Sequence, residues 1–280
     1  LVQKGKLGHS IVKYFNEVIA SQSINLIQTT RKEFDLFDLE KCSYFIKKNK
    51  PDFIINAAAY TSVDKAEEEY KIAKRINAES LEVISESLRE TGGRLLHIST
   101  DYVFDGKQPF PYSVNSSTNP INIYGRTKAE GEKIIEDILF NTNQGFILRT
   151  SWLLSPFGNN FALNMLNLLS TKDELKVVFD QIGSPTSTFS LAKICWKIIL
   201  SLGRNNLVPQ IMHWCDAGVA SWYDVALSVG EIGTKIGLLE KIPNVLPILT
   251  KEYKTAADRP YYSVLNCEET KTNVWKLNKF

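Results

Sequence analysis

The chain has 280 residues, enough for one large α/β unit or two smaller ones, and its 44% hydrophobic content is that of a globular protein with a sizeable core. With 33 basic against 31 acidic side chains the net charge is +2, and no run of Lys and Arg carries interleaved aromatics, so nothing favours nucleic acid as a partner while a small anionic ligand stays open. The cysteines Cys42, Cys195, Cys215 and Cys267 lack C-x-x-C spacing, which argues against a zinc site or disulfide framework. The run Ile194 to Leu200 is interrupted by Lys197 and falls well short of the roughly 20 apolar residues that span a bilayer. No signal peptide opens the chain, so the reading is a cytoplasmic protein with no membrane partner.

Along the chain, Ser10 to Phe15 has the apolar spacing of an amphipathic helix, and Gly5 and Gly8 stand at its start. Glycines opening a helix suit a diphosphate, because the backbone can be approached closely and the free amides attract negative charge. If these are the second and third glycines of a G-x-x-G-x-x-G pattern, the first falls on Val2. The expectation is then a truncated first strand and an incomplete amino terminus. Asn25 to Thr29 reads as a short strand followed by Arg31. In a dinucleotide fold this position meets the adenosine ribose, where a cation accepts a 2′-phosphate, so Arg31 tilts the reading to NADP; a solvated turn Arg is the alternative.

Leu39 to Asn49 reads as a helix stopped before Pro51, and Phe53-Ile54-Ile55 as an apolar strand ending in Asn56-Ala57-Ala58-Ala59-Tyr60, where small side chains leave room for a flat ligand. One long helix is expected from about Val63 to Thr91, with Ile72, Ile76, Leu81, Val83, Ile84 and Leu88 on its apolar side and Gly92-Gly93 closing it. The strand Arg94 to Ser99 then delivers Thr100 and Asp101 to the sheet edge where open α/β folds bind ligands. The loop Lys107 to Ile123, rich in Pro, Ser and Asn, is a surface segment able to cover a substrate.

Tyr124 and Lys128 follow, at the i, i+4 spacing that places them one helical turn apart on the same face. A free phenol holds its proton to about pH 10, and a neighbouring cation stabilises the phenolate, so the pair reads as a general acid/base. Phe146 to Thr150 is a further apolar strand, and the alternation of strands and helices implies an α/β fold with a parallel, doubly wound, Rossmann-like sheet. Residues 1–150 are read as the nucleotide-binding unit. Residues 151–280 are read as a smaller, mainly substrate-binding unit, some of whose segments pack back on the sheet. Trp152 stands directly after a strand, beside the active edge, whereas Trp196, Trp214, Trp222 and Trp275 read as packing residues.

With Thr100, Tyr124 and Lys128 placed, the chain resembles the extended short-chain dehydrogenase/reductases, whose sites use a Ser or Thr, a Tyr and a Lys in this order. Within them it is most similar to the family of dTDP-4-dehydrorhamnose reductases. Asn56 to Glu67, Ser99 to Gly106, Tyr124 to Lys128, Leu148 to Trp152, Asp180 to Thr186, Asp258-Arg259-Pro260 and Ser263-Val264-Leu265 carry the resemblance. It implies reduction of the C4 carbonyl of dTDP-4-dehydro-L-rhamnose to dTDP-L-rhamnose for rhamnose-containing polysaccharides. NADPH, with NADH as the alternative, would supply the hydride. Tyr124 would then be the proton donor, Lys128 would tune it and hold the nicotinamide ribose, and Thr100 would bind the carbonyl oxygen. Gly5, Lys6, Leu7 and Gly8 would line the diphosphate, Asp38 and Leu39 the adenine, and Ala57, Ala58, Ala59, Tyr60 and Thr61 the floor and the nicotinamide side. Asp101 and Trp152 would contact the dTDP-sugar. No metal-ligating cluster is read, and Mg²⁺ and a homodimer are left open. The rivals are a nucleotide-sugar epimerase or dehydratase of the same fold, and a non-catalytic subunit resembling the regulatory subunit of methionine adenosyltransferase. Val63 to Glu67 and Gly183 to Thr186 favour the reductase over the first, and the complete Thr/Tyr/Lys set counts against the second.

Overall fold

The computed structural model describes residues 5–20 and 24–275; the expectation placed on Val2 lies outside the described residues. The α-helices of five or more residues are, in chain order, α1 (Lys6–Tyr14), α2 (Leu39–Asn49), α3 (Val63–Glu68), α4 (Tyr70–Lys74), α5 (Ser80–Thr91), α6 (Ile123–Leu139), α7 (Phe161–Thr171), α8 (Thr188–Gly203) and α9 (Trp222–Lys235). The apolar runs become the strands β1 (Phe53–Asn56), β2 (Arg94–Thr100) and β3 (Gly145–Thr150). They pair in parallel in that order, with Ile54 opposite Leu95 and Leu96 opposite Phe146. The fourth strand, β4 (Ile211–His213), comes from the second half of the chain and pairs parallel with β3.

Side chains alternate along these strands, as the period of two requires. Ile55, Leu96, Phe146, Leu148 and Met212 pack under α1 and α8, while Ile54, Leu95 and Ile147 pack on the opposite face under α2, α5 and α6. The sheet is therefore sandwiched between helices, which is why its strands read as continuous apolar runs. α8 is buried along most of its length, and even Lys197 stays beneath the surface with its ammonium 4.4 Å from the Trp275 ring centre. A smaller core of Met165, Leu169, Ala226 and Val245 joins α7, α9 and the parallel strand pair Glu174–Val178 and Asn244–Ile248.

Two expectations are corrected. Asn25 to Thr29 forms no ladder among the described residues: Ile24 and Leu26 pack on the core and Thr29 is buried, but no strand hydrogen-bonds to this stretch. The single helix from Val63 to Thr91 is broken at Glu69 (φ −105°, ψ 36°) and widened into a π-turn over Arg75–Glu79, and Ile72 is exposed. The break has a cause in side-chain bonding. α3 is tied to other parts of the chain, with Asp64 bonding Arg259 and Glu67 accepting the N–H of Ile123 at 2.8 Å, and the Tyr60 hydroxyl donates to Glu69 at 2.6 Å. The wide turn places Asn77 where its amide exchanges bonds with the Tyr60 backbone and donates to Thr127 of α6 at 3.1 Å.

Candidate active site

The carboxyl ends of β1, β2 and β3 open on a cavity of about 840 Å³, at the place where parallel sheets bind ligands. Its lining gathers Gly5, Lys6 and Leu7 at the start of α1, Arg31 between α1 and α2, Ala57, Ala58, Ala59 and Thr61 after β1, Thr100 and Asp101 after β2, Tyr124 and Lys128 of α6, and Trp152 after β3. Thr30, Lys32, Ile98, Ser99, Thr150, Ser151 and Leu153 complete it; the sequence reading had not picked these out. Gly8, Asp38, Leu39 and Tyr60 lie outside the lining. Gly8 is buried in α1, Asp38 caps α2 by accepting the Lys41 N–H at 3.1 Å, and Tyr60 is engaged by Glu69 and Asn77. The loop Lys107 to Ile123 does not reach the cavity; Tyr112 anchors it by stacking on Phe104 and bridging to Leu265.

The candidate residues Thr100, Tyr124 and Lys128 are placed by local bonding. Asn122 starts α6, its Oδ1 accepting the Gly125 N–H at 2.8 Å and its Nδ2 donating to the Asp258 carbonyl at 2.8 Å. Tyr124 therefore sits in the first turn and Lys128 in the next. The Thr100 hydroxyl, at the end of β2, donates to Asp101 Oδ1 at 3.0 Å. Trp152 is held in the left-handed region (φ 46°), uncommon for a bulky residue, with its ring stacked on Trp222 of α9 at 3.5 Å and 3° from parallel. Behind it a Cβ on Gly183 would come within 2.5 Å of the ring, so only glycine fits there without moving the indole.

Burial dominates the protonation of these groups. Burial pushes the Tyr124 phenol up to about 12, with the Thr100 hydroxyl pulling it down and the Asp101 charge pushing it up. Burial brings Lys128 itself down to about 7, and its Nζ lies 2.7 Å from His97 Nε2 while donating to the Ile98 carbonyl at 2.8 Å. Burial likewise raises the Asp101 carboxyl to about 6, against hydrogen bonds from Ser263 and Thr100.

The residues present fit a nicotinamide dinucleotide. Among the described residues, Ser99 Oγ, Asp101 Oδ2 and Thr150 Oγ1 are buried without a hydrogen-bond partner, and all three residues line the cavity, so polar capacity is left for a ligand. The start of α1 has no side-chain cap and no acidic residue in its first turn, which suits a diphosphate. Among the described residues no group of three or more His, Cys, Asp or Glu could hold a metal ion, and no helix is long and apolar enough to cross a membrane.

The RmlD substrate binding domain family matches residues 2–280. A dTDP-4-dehydrorhamnose reductase of Salmonella typhimurium is 39% identical over 228 residues, covering 81% of this chain and 75% of that protein. The crystal structure of a dTDP-4-dehydrorhamnose reductase from Clostridium acetobutylicum superposes with a TM-score of 0.84 at 36% identity, covering 95% of this chain and 88% of that one. That of the Bacillus anthracis dTDP-4-dehydrorhamnose reductase, in complex with NADP, gives 0.84 at 33% identity, covering 99% and 90%.

Proposed function

The chain belongs to the RmlD substrate binding domain family, and from that premise we propose that it is a dTDP-4-dehydrorhamnose reductase, reducing the C4 carbonyl of dTDP-4-dehydro-L-rhamnose in dTDP-rhamnose biosynthesis. The observation that carries the reading is the convergence of Thr100, Tyr124 and Lys128 on one cavity floored by Ala57, Ala58 and Ala59. A nicotinamide cofactor supplies the hydride when bound. NADPH is the preferred form, because Arg31 and Lys32 both line the cavity and offer positive charge to a 2′-phosphate. Gly5, Lys6 and Leu7 would hold the diphosphate.

As the carbonyl oxygen gains negative charge, the Thr100 hydroxyl is placed to hydrogen-bond it and Tyr124 to protonate it. The high phenol pKa is suited to this direction. At neutral pH Tyr124 is fully loaded with its proton, and an alkoxide is a far stronger base, comparable with hydroxide, whose conjugate acid has a pKa of roughly 15.7. Asp101 Oδ2 would accept from a sugar hydroxyl, and the Trp152 ring would hold the nucleotide-sugar. The test is to supply the purified chain with dTDP-4-dehydro-L-rhamnose and NADPH. Stoichiometric loss of NADPH with formation of dTDP-L-rhamnose is expected. Sugar conversion without NADPH loss would assign an epimerase, and no turnover of any sugar nucleotide would favour a binding role.

A further inference from the structure

Trp152 lines the cavity just after β3, and two features of its placement run against what the residue would adopt alone. Its backbone is left-handed, with φ 46°, where a bulky side chain is rare. Its indole lies 3.5 Å from the Trp222 ring and 3° from parallel, a face-to-face sandwich, whereas free aromatic pairs favour offset or edge-on contact. Strain of this kind persists only where the surroundings impose it, and it gathers at ligand sites. The other face of the indole is covered as well. A Cβ on Gly183 would stand 2.5 Å from Cε2, 2.6 Å from Nε1 and 2.8 Å from Cζ2. Cε2 is recessed between the other two atoms, so an approach in the ring plane would leave it the most distant of the three. It is the nearest, so Gly183 lies over the ring. Trp222 fills one face at stacking distance, and Gly183 therefore takes the other.

The two covering residues belong to one small unit. Ile182–Gly183 and Ala220–Ser221 pair as a short antiparallel ladder, with Gly183 opposite Ala220 and Ile182 opposite Ser221. Ser221 then caps α9: its Oγ accepts the Asp224 N–H at 3.0 Å, and Asp224 Oδ2 accepts the Ser221 N–H at 2.8 Å. Trp222 is thus the first residue of α9, placed by the cap. Phe161, the first residue of α7, supports its ring at 4.5 Å between centres, and Trp222 packs on the small core of Met165, Leu169 and Ala226. Trp152 is tied at its main chain, its carbonyl accepting the Thr186 N–H at 3.1 Å. The indole is held between a glycine and a tryptophan carried by paired strands, and it turns its edge to the cavity.

We propose that Trp222 is a positioning residue for the sugar nucleotide: with Gly183 it clamps the Trp152 indole edge-on to the cavity and so fixes the wall against which the dTDP-sugar is seated. The role rests on the reading of Trp152 as a substrate contact, and it departs from the sequence reading of Trp222 as a packing residue. Its consequence lies in affinity. An indole free to turn about its side-chain dihedrals must be ordered each time substrate binds, whereas a clamped ring has lost that freedom on folding and offers a preformed seat. The residues read as cofactor contacts, Gly5 to Leu7 and Ala57 to Ala59, stand on other elements. Loss of the clamp should therefore fall on the sugar nucleotide and spare NADPH.

Two measurements test it. Stacked indoles couple their electronic transitions, so the ligand-free chain should show an exciton couplet in far-ultraviolet circular dichroism to which Trp152 and Trp222 contribute jointly. Trp152→Phe, Trp222→Phe and the double variant should each lose the same component, with the tilted pair Trp214 and Trp275, 5.4 Å apart, left as a constant background. No loss, or losses that add in the double variant, would overturn the stack and the proposal with it. The second measurement is of affinity. Trp222→Leu keeps apolar bulk on the small core without the ring, and Gly183→Ala presses on the indole from the opposite face. Each should raise KM for dTDP-4-dehydro-L-rhamnose, and Kd for dTDP-L-rhamnose by calorimetry, about fivefold, with Kd for NADPH within about twofold. Trp222→Phe restores a flat ring and should stay within about twofold of the parent for both ligands. Sugar-nucleotide affinity unchanged in both Trp222→Leu and Gly183→Ala, or an equal loss for NADPH, would reject the role. A parent that shows the couplet and binds no dTDP-sugar would instead remove the functional reading on which the role rests.

Discussion

Tyr124 carries the proton in the proposed reaction, and its ring is also packed edge-on against Tyr102, the centroids 5.7 Å apart. Tyr124→Phe removes the hydroxyl and keeps the ring, so kcat should fall by roughly 10²–10⁴ while NADPH binding, followed by fluorescence titration, is retained. Near-normal turnover would remove Tyr124 from the chemistry. Arg31 is exposed at the cavity rim, and Arg31→Ala should weaken NADPH far more than NADH; equal losses would make it a turn residue only. Lys128 has a stability signature as well. Its folded pKa is about 7 against 10.5 for the free group, so between these values the unfolded chain binds one more proton and stability rises with pH. The clean window runs from about 7 to 9.0, because above it the buried thiols Cys42 and Cys195, pushed up to about 12 from 9.0, act in the opposite direction. Lys128→Met should melt higher than the parent at pH 7, lose this slope and lose turnover; an identical slope in both proteins would show that the lysine is not desolvated.

Among the elements, α6 decides the site, and its position depends on a glycine facing the π-turn. A Cβ at Gly131 would come within 2.2 Å of the Asn77 carbonyl oxygen, a backbone atom that cannot swing away. Gly131→Ala should therefore cost about 1–3 kcal/mol from overpacking, set against the roughly 1 kcal/mol that alanine gains in a helix. It should also lower kcat by loosening Asn77 from Thr127 and Tyr60; urea midpoints with parallel kinetics would measure both. The same elements explain what could be read in advance. β1, β2 and β3 were visible because strands buried on both faces are continuous apolar runs, and α6 because its helix-forming stretch and its Tyr/Lys spacing are local. β4 was not, since Ile211-Met212-His213 is too short to signal, and its His213 is buried against Arg149 and the Tyr112 carbonyl by contacts distant in sequence. Asn25 to Thr29 has strand composition, but a strand is defined by a partner, and composition does not supply one.

At the scale of the whole molecule, most of the site was legible as residue types at strand ends, while the bonds that set its protonation were not. His97 is one polar letter inside an apolar strand, and Trp222 belongs to a helix seventy positions from the ring it stacks on. The end of the chain is the clearest case of long-range assembly. Arg259 grips Asp64 with both terminal nitrogens at 3.0 and 2.6 Å, the neighbouring Asp258 carbonyl accepts from the Asn122 cap of α6, and Pro260 packs on Gly106 so closely that a Cβ there would come within 2.5 Å. Ser263, a few residues on, hydrogen-bonds Asp101. Residues 258–263 thus tie the start of α6 and the end of β2 together, the two places that carry the proposed Tyr124 and Thr100. The ion pair itself is worth little, about 1 kcal/mol, because the Asp64 side chain is 46% exposed and solvent screens it. Arg259→Ala should accordingly shift the melting temperature only slightly, yet raise KM for the dTDP-sugar by several-fold through slack at Asn122 and Asp101. The pH dependence has a definite sign. Arg259 holds the Asp64 carboxyl below its ordinary 3.8, so the stability it lends is present above that value and is lost as pH falls through the depressed folded value. The difference in stability between parent and Arg259→Ala should therefore shrink on acidification. A KM unchanged by the substitution would show that the segment fastens the fold without bracing the site.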